Sequence, residues 1–262
     1  MVWSKSILPF HSKCFVCRLS AVDIWEQNLK LSYTFEILRS QGWLSQVPEE
    51  FAWELISRGT LREAGTRVCV HRAGDPQDGL RGIISGAFAI EMAPFERGPN
   101  LLHLFRTGDW MGEVELIKRL PNVVSVKATR PSEYIHIATS DIQDLALANP
   151  ETWRWIGLLA VDHLLTAIGI MDDLTIRDSS RRIAALLLRL ASVRSTDNRD
   201  DPEPEIDATQ SDLSHLATLS RATIVEHLHR FEKAGLITRS YGKVKIANPK
   251  KFREYLLERG PI

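Results

Sequence analysis

The feature that most constrains the fold is an abrupt change of hydrophobic periodicity near residue 140. Before it, from Gly65 to Thr139, short runs rich in β-branched and aromatic residues alternate with turn residues. After it, from Asp141 onward, apolar residues recur with helical spacing. Short strands at near-even spacing with glycine-containing turns are typical of an antiparallel barrel or jelly roll. The sequence therefore predicts an α+β chain in which a β-barrel precedes a helical region.

The predicted barrel domain spans residues 41–149, after a poorly defined leader of residues 1–40. The leader contains one amphipathic helix, from about Asp23 to Arg39, and a second short helix is expected from Pro48 to Ser57. Pro48 is tolerated in the first turn of that helix because its missing N–H would have no partner there. The strands are expected at residues 67–71, 82–92, 101–105, 123–128 and 134–138.

A long helix, within residues 150–178, is predicted to follow the barrel and a short helix that ends at Ala148. It presents two adjacent apolar seams, and both must be buried. One can lie on the barrel, and the other most simply meets its own copy; a core helix of a monomer is the alternative. Because a helix of about seven turns outruns the barrel beside it, we expect a dimer. The expected interface residues are Val161, Leu164, Ile168 and Met171.

Composition bears on where such a chain works. The longest apolar stretch, Trp155 to Ile170, is interrupted by Asp162-His163 and is shorter than a bilayer span, so no membrane partner is expected. No secretory signal is recognised at the N-terminus. The three cysteines, Cys14, Cys17 and Cys69, are an odd number, which fits a reducing cytoplasm better than a disulfide framework.

The tail, predicted as a separate domain over residues 179–262, carries two short helices joined by a tight turn. Thr209 and Ser220 are suitable N-caps, and Asp212 completes a capping box with Thr209. In the second helix, apolar residues at Ile224, Leu228 and Phe231 face inward. The opposite face is expected to contact DNA bases in the major groove, through Arg221, Ala222, Val225, Glu226 and His229.

Basic residues dominate this tail. Between Ser220 and Phe252 eight bases stand against Glu226 and Glu232, although the whole chain has 33 bases and 33 acids. A β-hairpin is predicted around Tyr241-Gly242. A solvated helix pair with a charged hairpin would explain the helices but not the scarcity of acids, so DNA binding is favoured. The expected phosphate contacts are Thr209, Ser211, Ser220, Arg230, Lys243 and Lys245.

Three segments together resemble a known family. They are Gly82-Ile-Ile-Ser-Gly86 in the barrel, Gly108-Asp109-Trp-Met-Gly112-Glu113, and Leu219-Ser-Arg-Ala-Thr-Ile followed by Leu236-Ile. In this order they are similar to the Crp/Fnr superfamily of bacterial transcription regulators, over about Gly42 to Ala247. The resemblance implies a cyclic-nucleotide-binding-like barrel, a winged helix-turn-helix, a homodimer on a two-fold operator, and RNA polymerase as a further candidate partner.

The resemblance also implies an effector site at Gly112, Glu113, Val123 and Val124. In cyclic-nucleotide-binding members an Arg-Ser pair about ten residues after the Gly-Glu turn neutralises the phosphate. This chain has Leu120-Pro-Asn-Val-Val-Ser125 there, and the arginine is missing. Since a buried phosphate without a cation is costly, the sequence argues against cyclic AMP. Arg119 lies too early to replace that arginine, and the identity of the effector stays open.

Metal and redox chemistry are weakly supported. Cys14-x-x-Cys17 is similar to cysteines of iron–sulfur members, but a [4Fe–4S] cluster requires four thiolates. Cys69-x-His71 alone supplies too few ligands for zinc, and haem is disfavoured as well. A cupin-like enzyme would need converging ligands, whereas the candidates His71, Glu91, His103 and Glu113 are scattered. We therefore expect neither a metal site nor an enzyme. The sequence favours a DNA-binding regulator controlled by an effector or redox signal, and an interaction or adaptor module is a further alternative.

Overall fold

The computed structural model describes residues 21–92, 100–194 and 204–257, with side chains from residue 29 onward. Cys14 and Cys17 lie outside the described residues. The helices are α1 (Ala21–Arg39), α2 (Glu49–Ser57), α3 (Glu113–Lys118), α4 (Thr139–Ala148), α5 (Glu151–Thr175), α6 (Ser179–Leu190), α7 (Gln210–Ala217), α8 (Arg221–Lys233) and α9 (Pro249–Leu257). A short 3₁₀ helix spans Trp43–Gln46.

The strands form a jelly-roll barrel and a separate small sheet. They are β1 (Thr60–Ala64), β2 (Cys69–His71), β3 (Gly79–Ser85), β4 (Ala87–Met92), β5 (Asn100–Arg106), β6 (Trp110–Met111), β7 (Ser125–Ala128), β8 (Ser132–Ala138), β9 (Glu205–Asp207), β10 (Ile237–Ser240) and β11 (Lys243–Ile246). Two four-stranded antiparallel sheets, ordered β1-β8-β3-β6 and β2-β7-β4-β5, enclose the barrel core, and β10-β11-β9 form the third sheet. The predicted fold class is confirmed.

Some strand boundaries differ from the sequence prediction. The run expected at residues 82–92 is two strands that part at Gly86, which has φ +93°. A Cβ at this glycine would lie 2.0 Å from the Ser132 Oγ, so only glycine fits. Strand β1 was not predicted because its Thr-Leu-Arg-Glu-Ala sequence is mostly polar and exposed. The strand expected from residue 123 begins only at Ser125.

Helix α1, expected within the leader, covers one end of the barrel. Phe35 and Leu38 are buried together with Trp43, Phe51 and Trp110, in a core that also includes residues of β3, β8, α4 and α5. The aromatic rings pack edge to face, with the Trp43 and Trp110 centroids 5.2 Å apart. The second half of the leader therefore shares the core of the barrel domain.

Helix α5 lies on the barrel along one face only. Ile156 and Leu159 are buried, whereas Val161, Leu164, Leu165, Ile168 and Met171 are each 47–59% exposed. The helix is long and apolar enough to cross a membrane by length and composition alone, and 11% of its most apolar window is buried. Its centre, however, carries Asp162 and His163, which bond Gln46 and Glu113 of the barrel domain.

Candidate nucleic-acid interface and effector turn

Helix α8 is a capped helix fixed from one side. The Ser220 hydroxyl accepts a hydrogen bond from the Thr223 N–H at 3.1 Å, as expected of an N-cap. Ile224, Leu228 and Phe231 are at most 1% exposed and pack into the core of the tail domain. Phe231 packs edge to face against Phe252 and Tyr255 in that core, and α9, which was not predicted, supplies the last two rings.

The opposite face of α8 is free. The structure brings the expected base-contacting residues together on one exposed surface, where the expected phosphate contact Arg230 also lies; they are Arg221, Ala222, Val225, Glu226 and His229. Two of the charged residues form an ion pair, in which the Arg230 guanidinium donates to the Glu226 carboxylate at 2.6 Å. Arg221 makes no such pair among the described side chains, and it lies at the N-terminal end that would enter a groove first.

The remaining phosphate-contact candidates border this surface. Thr209 and Asp212 form the expected capping box of α7, with the Thr209 N–H donating to the Asp212 carboxylate at 2.8 Å. Ser211 is half-buried in the first turn of α7. Lys243 pairs with Glu205 of β9. Glu205 would therefore compete with a DNA phosphate for the Lys243 ammonium group. Lys245 also lies on β11, in the predicted hairpin.

Several side chains that position α8 escaped the sequence prediction. His227 is 7% exposed and its Nε2 lies 2.8 Å from the Ser179 Oγ of α6. Burial lowers the pKa of His227, so it serves as a neutral hydrogen-bonding group. The Arg182 guanidinium donates to the Ile176 carbonyl after α5 and to the Ala217 carbonyl at the end of α7. Helix α5 is thereby joined to the helix-turn-helix.

The effector turn is built around Gly112 and Glu113. Gly112 has φ +105°, and a Cβ there would lie 2.4 Å from the Gly79 carbonyl oxygen, so the close approach of β3 requires glycine. Glu113 is 2% exposed, and its Oε1 lies 2.6 Å from the His163 Nδ1 of α5. The His163 ring also stacks on Phe105 at 5.4 Å. The turn carboxylate thus binds the long helix.

The other expected effector residues make contacts with groups other than Glu113. The Val123 side chain is 43% exposed, and its N–H donates to the Glu115 carboxylate at 3.0 Å. Val124 packs at the edge of the barrel core. The Ser125 hydroxyl accepts the Ala73 N–H at 3.0 Å. The segment that would bind the phosphate of a cyclic nucleotide therefore makes contacts inside the protein.

A buried arginine lies nearby. Arg81 of β3 is 4% exposed, and its guanidinium donates twice to the Asp78 carboxylate, at 2.6 and 2.8 Å, with the His71 Nδ1 at 3.2 Å. Because Asp78 already neutralises this cation, Arg81 does not replace the missing phosphate ligand. Arg119, the nearest arginine in sequence, is exposed in a left-handed conformation after α3.

The metal candidates stay apart. Among residues 21–92, 100–194 and 204–257, the structure contains no cluster of three or more His, Cys, Asp or Glu side chains able to hold a metal ion. Cys69 is a half-buried free thiol. A register shift separates it from His71, whose buried ring faces Arg81 instead.

Comparisons with known proteins match both halves of this architecture. Residues 62–149 match the family model of the cyclic nucleotide-binding domain, and residues 181–255 match that of the Crp-like helix-turn-helix domain. The chain belongs to the Crp/Fnr superfamily. It is accordingly a Crp-type transcription regulator with a cyclic-nucleotide-binding-type domain and a DNA-binding helix-turn-helix domain.

Individual relatives of this Crp/Fnr protein are distant. A CRP-like cAMP-activated global transcriptional regulator from Mycobacterium tuberculosis H37Rv is 25% identical over 168 residues, which cover 64% of this chain and 75% of the relative. A solved structure of a protein from Ruegeria pomeroyi superposes on this chain with a TM-score of 0.64 at 18% identity, covering 87% of this chain and 98% of that one. FixK2 from Bradyrhizobium japonicum superposes with a TM-score of 0.64 at 13% sequence identity, covering 78% of this chain and 99% of that one. The two solved structures support the fold.

Proposed function

We propose that this Crp/Fnr protein is a homodimeric, sequence-specific DNA-binding regulator that acts in the cytoplasm and has no enzymatic role. The supporting observation is the exposed face of α8, where Arg221 lies at the N-terminal end of a capped helix held by Ile224, Leu228 and Phe231. An arginine there can donate two hydrogen bonds to the O6 and N7 of a guanine. Thr209, Ser211, Ser220, Arg230, Lys243 and Lys245 would contact phosphates around it.

The same proposal includes a dimer through α5. Val161, Leu164, Ile168 and Met171 are expected to face their copies because they form an exposed apolar stripe on a helix whose other side lies on the barrel. A dimer presents two α8 helices to two half-sites, which matches a two-fold symmetric operator. RNA polymerase is the further partner that a regulator bound beside a promoter would contact.

Control of DNA affinity is assigned to the barrel, through an effector or a redox signal. A cyclic nucleotide at Gly112, Glu113, Val123 and Val124 is disfavoured, because the phosphate arginine is absent and Glu113 is bonded to His163. The M. tuberculosis relative is described as cAMP-activated. Cyclic AMP is therefore a necessary ligand to test, and we expect no binding at micromolar concentration.

The DNA-binding proposal is tested by operator selection from a random duplex library, followed by binding titrations of Arg221→Ala. We expect the variant to lose about 1–3 kcal/mol of discrimination at one base pair of each half-site. Lys233→Ala, at the far end of the same helix, is the matched control and should keep the sequence preference. An Arg221→Ala protein with the original preference and affinity would show that α8 does not read the bases.

A further inference from the structure

A cleft whose lining includes neither Gly112 nor Glu113 lies where the barrel, α5 and α6 meet, and His163, the partner of Glu113, is part of its wall. It has a volume of about 540 Å³, within the size range of small-molecule sites. Its walls come from the 3₁₀ helix at Trp43–Gln46, from β5 and the following turn, from the middle of α5 and from the C-terminal end of α6. Any molecule bound there would contact the sensing domain, the long helix and the DNA-binding domain at once.

The charges that line this cleft are of both signs. The Arg106 guanidinium has one hydrogen bond, to the Ala191 carbonyl at 3.3 Å, and no carboxylate within ion-pair distance among the described residues. Among the described residues, Asp162 accepts a single hydrogen bond, from the Gln46 amide at 2.9 Å. Asp109 is the second acid, and it accepts a hydrogen bond from the backbone N–H of Arg106 at 2.8 Å. One cation and two carboxylates therefore face the same space.

The other charged groups in the wall are already neutralised. The Arg189 guanidinium donates to the Asp173 carboxylate at 2.7 Å, and His163 is bonded to Glu113. His103 is uncharged at neutral pH, because burial, with Arg189 beside it, lowers its pKa to about 3. A purely anionic ligand would meet Asp109 and Asp162, and a purely cationic one would meet Arg106. A molecule that carries both charges matches both sides.

Apolar side chains supply the rest of the lining. Leu159, Leu165, Leu190 and Val193 line the cleft together with the Trp43 and Phe105 rings. From this arrangement we infer that the cleft is a binding site for a small zwitterion with an apolar side chain, of the free α-amino acid class. Its carboxylate would bind Arg106, and its ammonium group would bind Asp162 and Asp109.

The role of this site rests on the proposed function, because the ligand would control DNA binding by joining Arg106 of β5 to the end of α6. Arg189 and Leu190 end α6, and residues 191–193 follow it directly. The same helix contacts His227 of α8 through Ser179 and the end of α7 through Arg182. A ligand that bridges the two domains would favour the domain arrangement in which the cleft is formed.

The test uses isothermal titration calorimetry on the full chain with a panel of free L-amino acids, in which L-phenylalanine is compared with two truncated analogues. 3-Phenylpropionate lacks the amine, and phenethylamine lacks the carboxylate. We expect one or more apolar amino acids to bind, and both truncated forms to bind at least about tenfold more weakly, since each loses a charge-assisted hydrogen bond. Absence of heat across the panel, or equal binding of 3-phenylpropionate, would overturn the inference.

Variants then assign the two charges. Arg106→Gln should abolish the gain in affinity that the ligand's carboxylate provides. Asp162→Asn should abolish the gain in affinity that its amine provides. Asp162 is preferred to Asp109 because, within the described part of the chain, it accepts a hydrogen bond only from the exposed Gln46 amide. Arg154→Gln, on the exposed side of α5, is the matched control. Melting curves verify that each variant folds, and with folded variants an unchanged amino acid affinity would place the ligand elsewhere.

DNA titrations with and without the bound amino acid separate this inference from the proposed function. A ligand-dependent change in operator affinity, lost in Arg106→Gln, is the expected result. Ligand binding that leaves operator affinity unchanged would overturn the regulatory role. Ligand binding by a chain that binds no DNA would instead refute the proposed function and leave the site in place.

Discussion

The apolar stripe on α5 allows the dimer prediction to be made quantitative through Leu164. This side chain is 58% exposed in one chain, and full burial of a leucine is worth about 1.5–3 kcal/mol. Covering the exposed part in a dimer is then worth about 1–1.7 kcal/mol per copy. Because a two-fold interface uses each residue twice, Leu164→Ala should weaken the dimer by about 2–3.5 kcal/mol.

That free energy corresponds to an increase of about 30- to 300-fold in the dimer dissociation constant. Sedimentation equilibrium over a dilution series measures it directly. Leu147→Ala is the matched control, because Leu147 is 83% exposed on α4 and is not part of the stripe. If Leu164→Ala changes the constant no more than Leu147→Ala does, the stripe is not the interface and the dimer must use another surface.

Three further changes have defined outcomes. Ile168→Asp places a charge in the same stripe, so we expect monomers that bind DNA weakly, and an unchanged sedimentation coefficient would contradict this. Burial by itself lowers the pKa of His163, but the hydrogen bond and charge of Glu113, together with the charges of Asp109 and Asp162, outweigh it and hold the pKa above its ordinary 6.5. The stabilisation from this pair is therefore complete below that ordinary value and is lost as the pH rises through the higher folded value. In Glu113→Gln an NMR titration should find a lower His163 pKa, and the melting temperature should fall less between about pH 6 and pH 9 than in the parent. Gly82→Ala would put its Cβ 2.7 Å from the buried Trp110 ring. We expect a loss of about 1–3 kcal/mol in the free energy of unfolding by urea, and a loss below about 0.5 kcal/mol would mean that the ring moves freely.

Local signals in the sequence were sufficient for much of the architecture. The capping box at Thr209 and Asp212, the N-cap at Ser220 and the turn at Gly242 each depend on residues a few positions apart, and each is confirmed. Strand β9 could not be predicted in the same way, because Glu205–Asp207 is a polar segment that becomes a strand only by pairing with β11.

The same distinction applies to the candidate site. The exposed face of α8 follows from helical periodicity alone. The partners of its charges do not, because Lys243 meets Glu205 across 38 positions and Arg182 reaches Ala217 across 35. His163 is hydrogen-bonded to Glu113, which lies 50 positions away. Pairings over such distances depend on the tertiary fold and leave no periodic pattern in the sequence.

Helix α5 is contacted at both of the places where a signal would have to enter and leave. Glu113 of the effector turn holds its middle through His163, and Arg189 of α6 holds its end through the 2%-exposed Asp173. A ligand shifts a conformational equilibrium only through contacts that differ between the two states. An effector at the turn must therefore compete for Glu113 with His163, whereas a ligand in the cleft beside Arg106 leaves that bond intact and contacts α6 directly. Loss of the Glu113–His163 bond in Glu113→Gln should consequently change the response to the first kind of ligand. Amino acid binding should change less in Glu113→Gln than in Arg106→Gln, because His163 lines the cleft but Glu113 does not, and calorimetry on both variants can establish this.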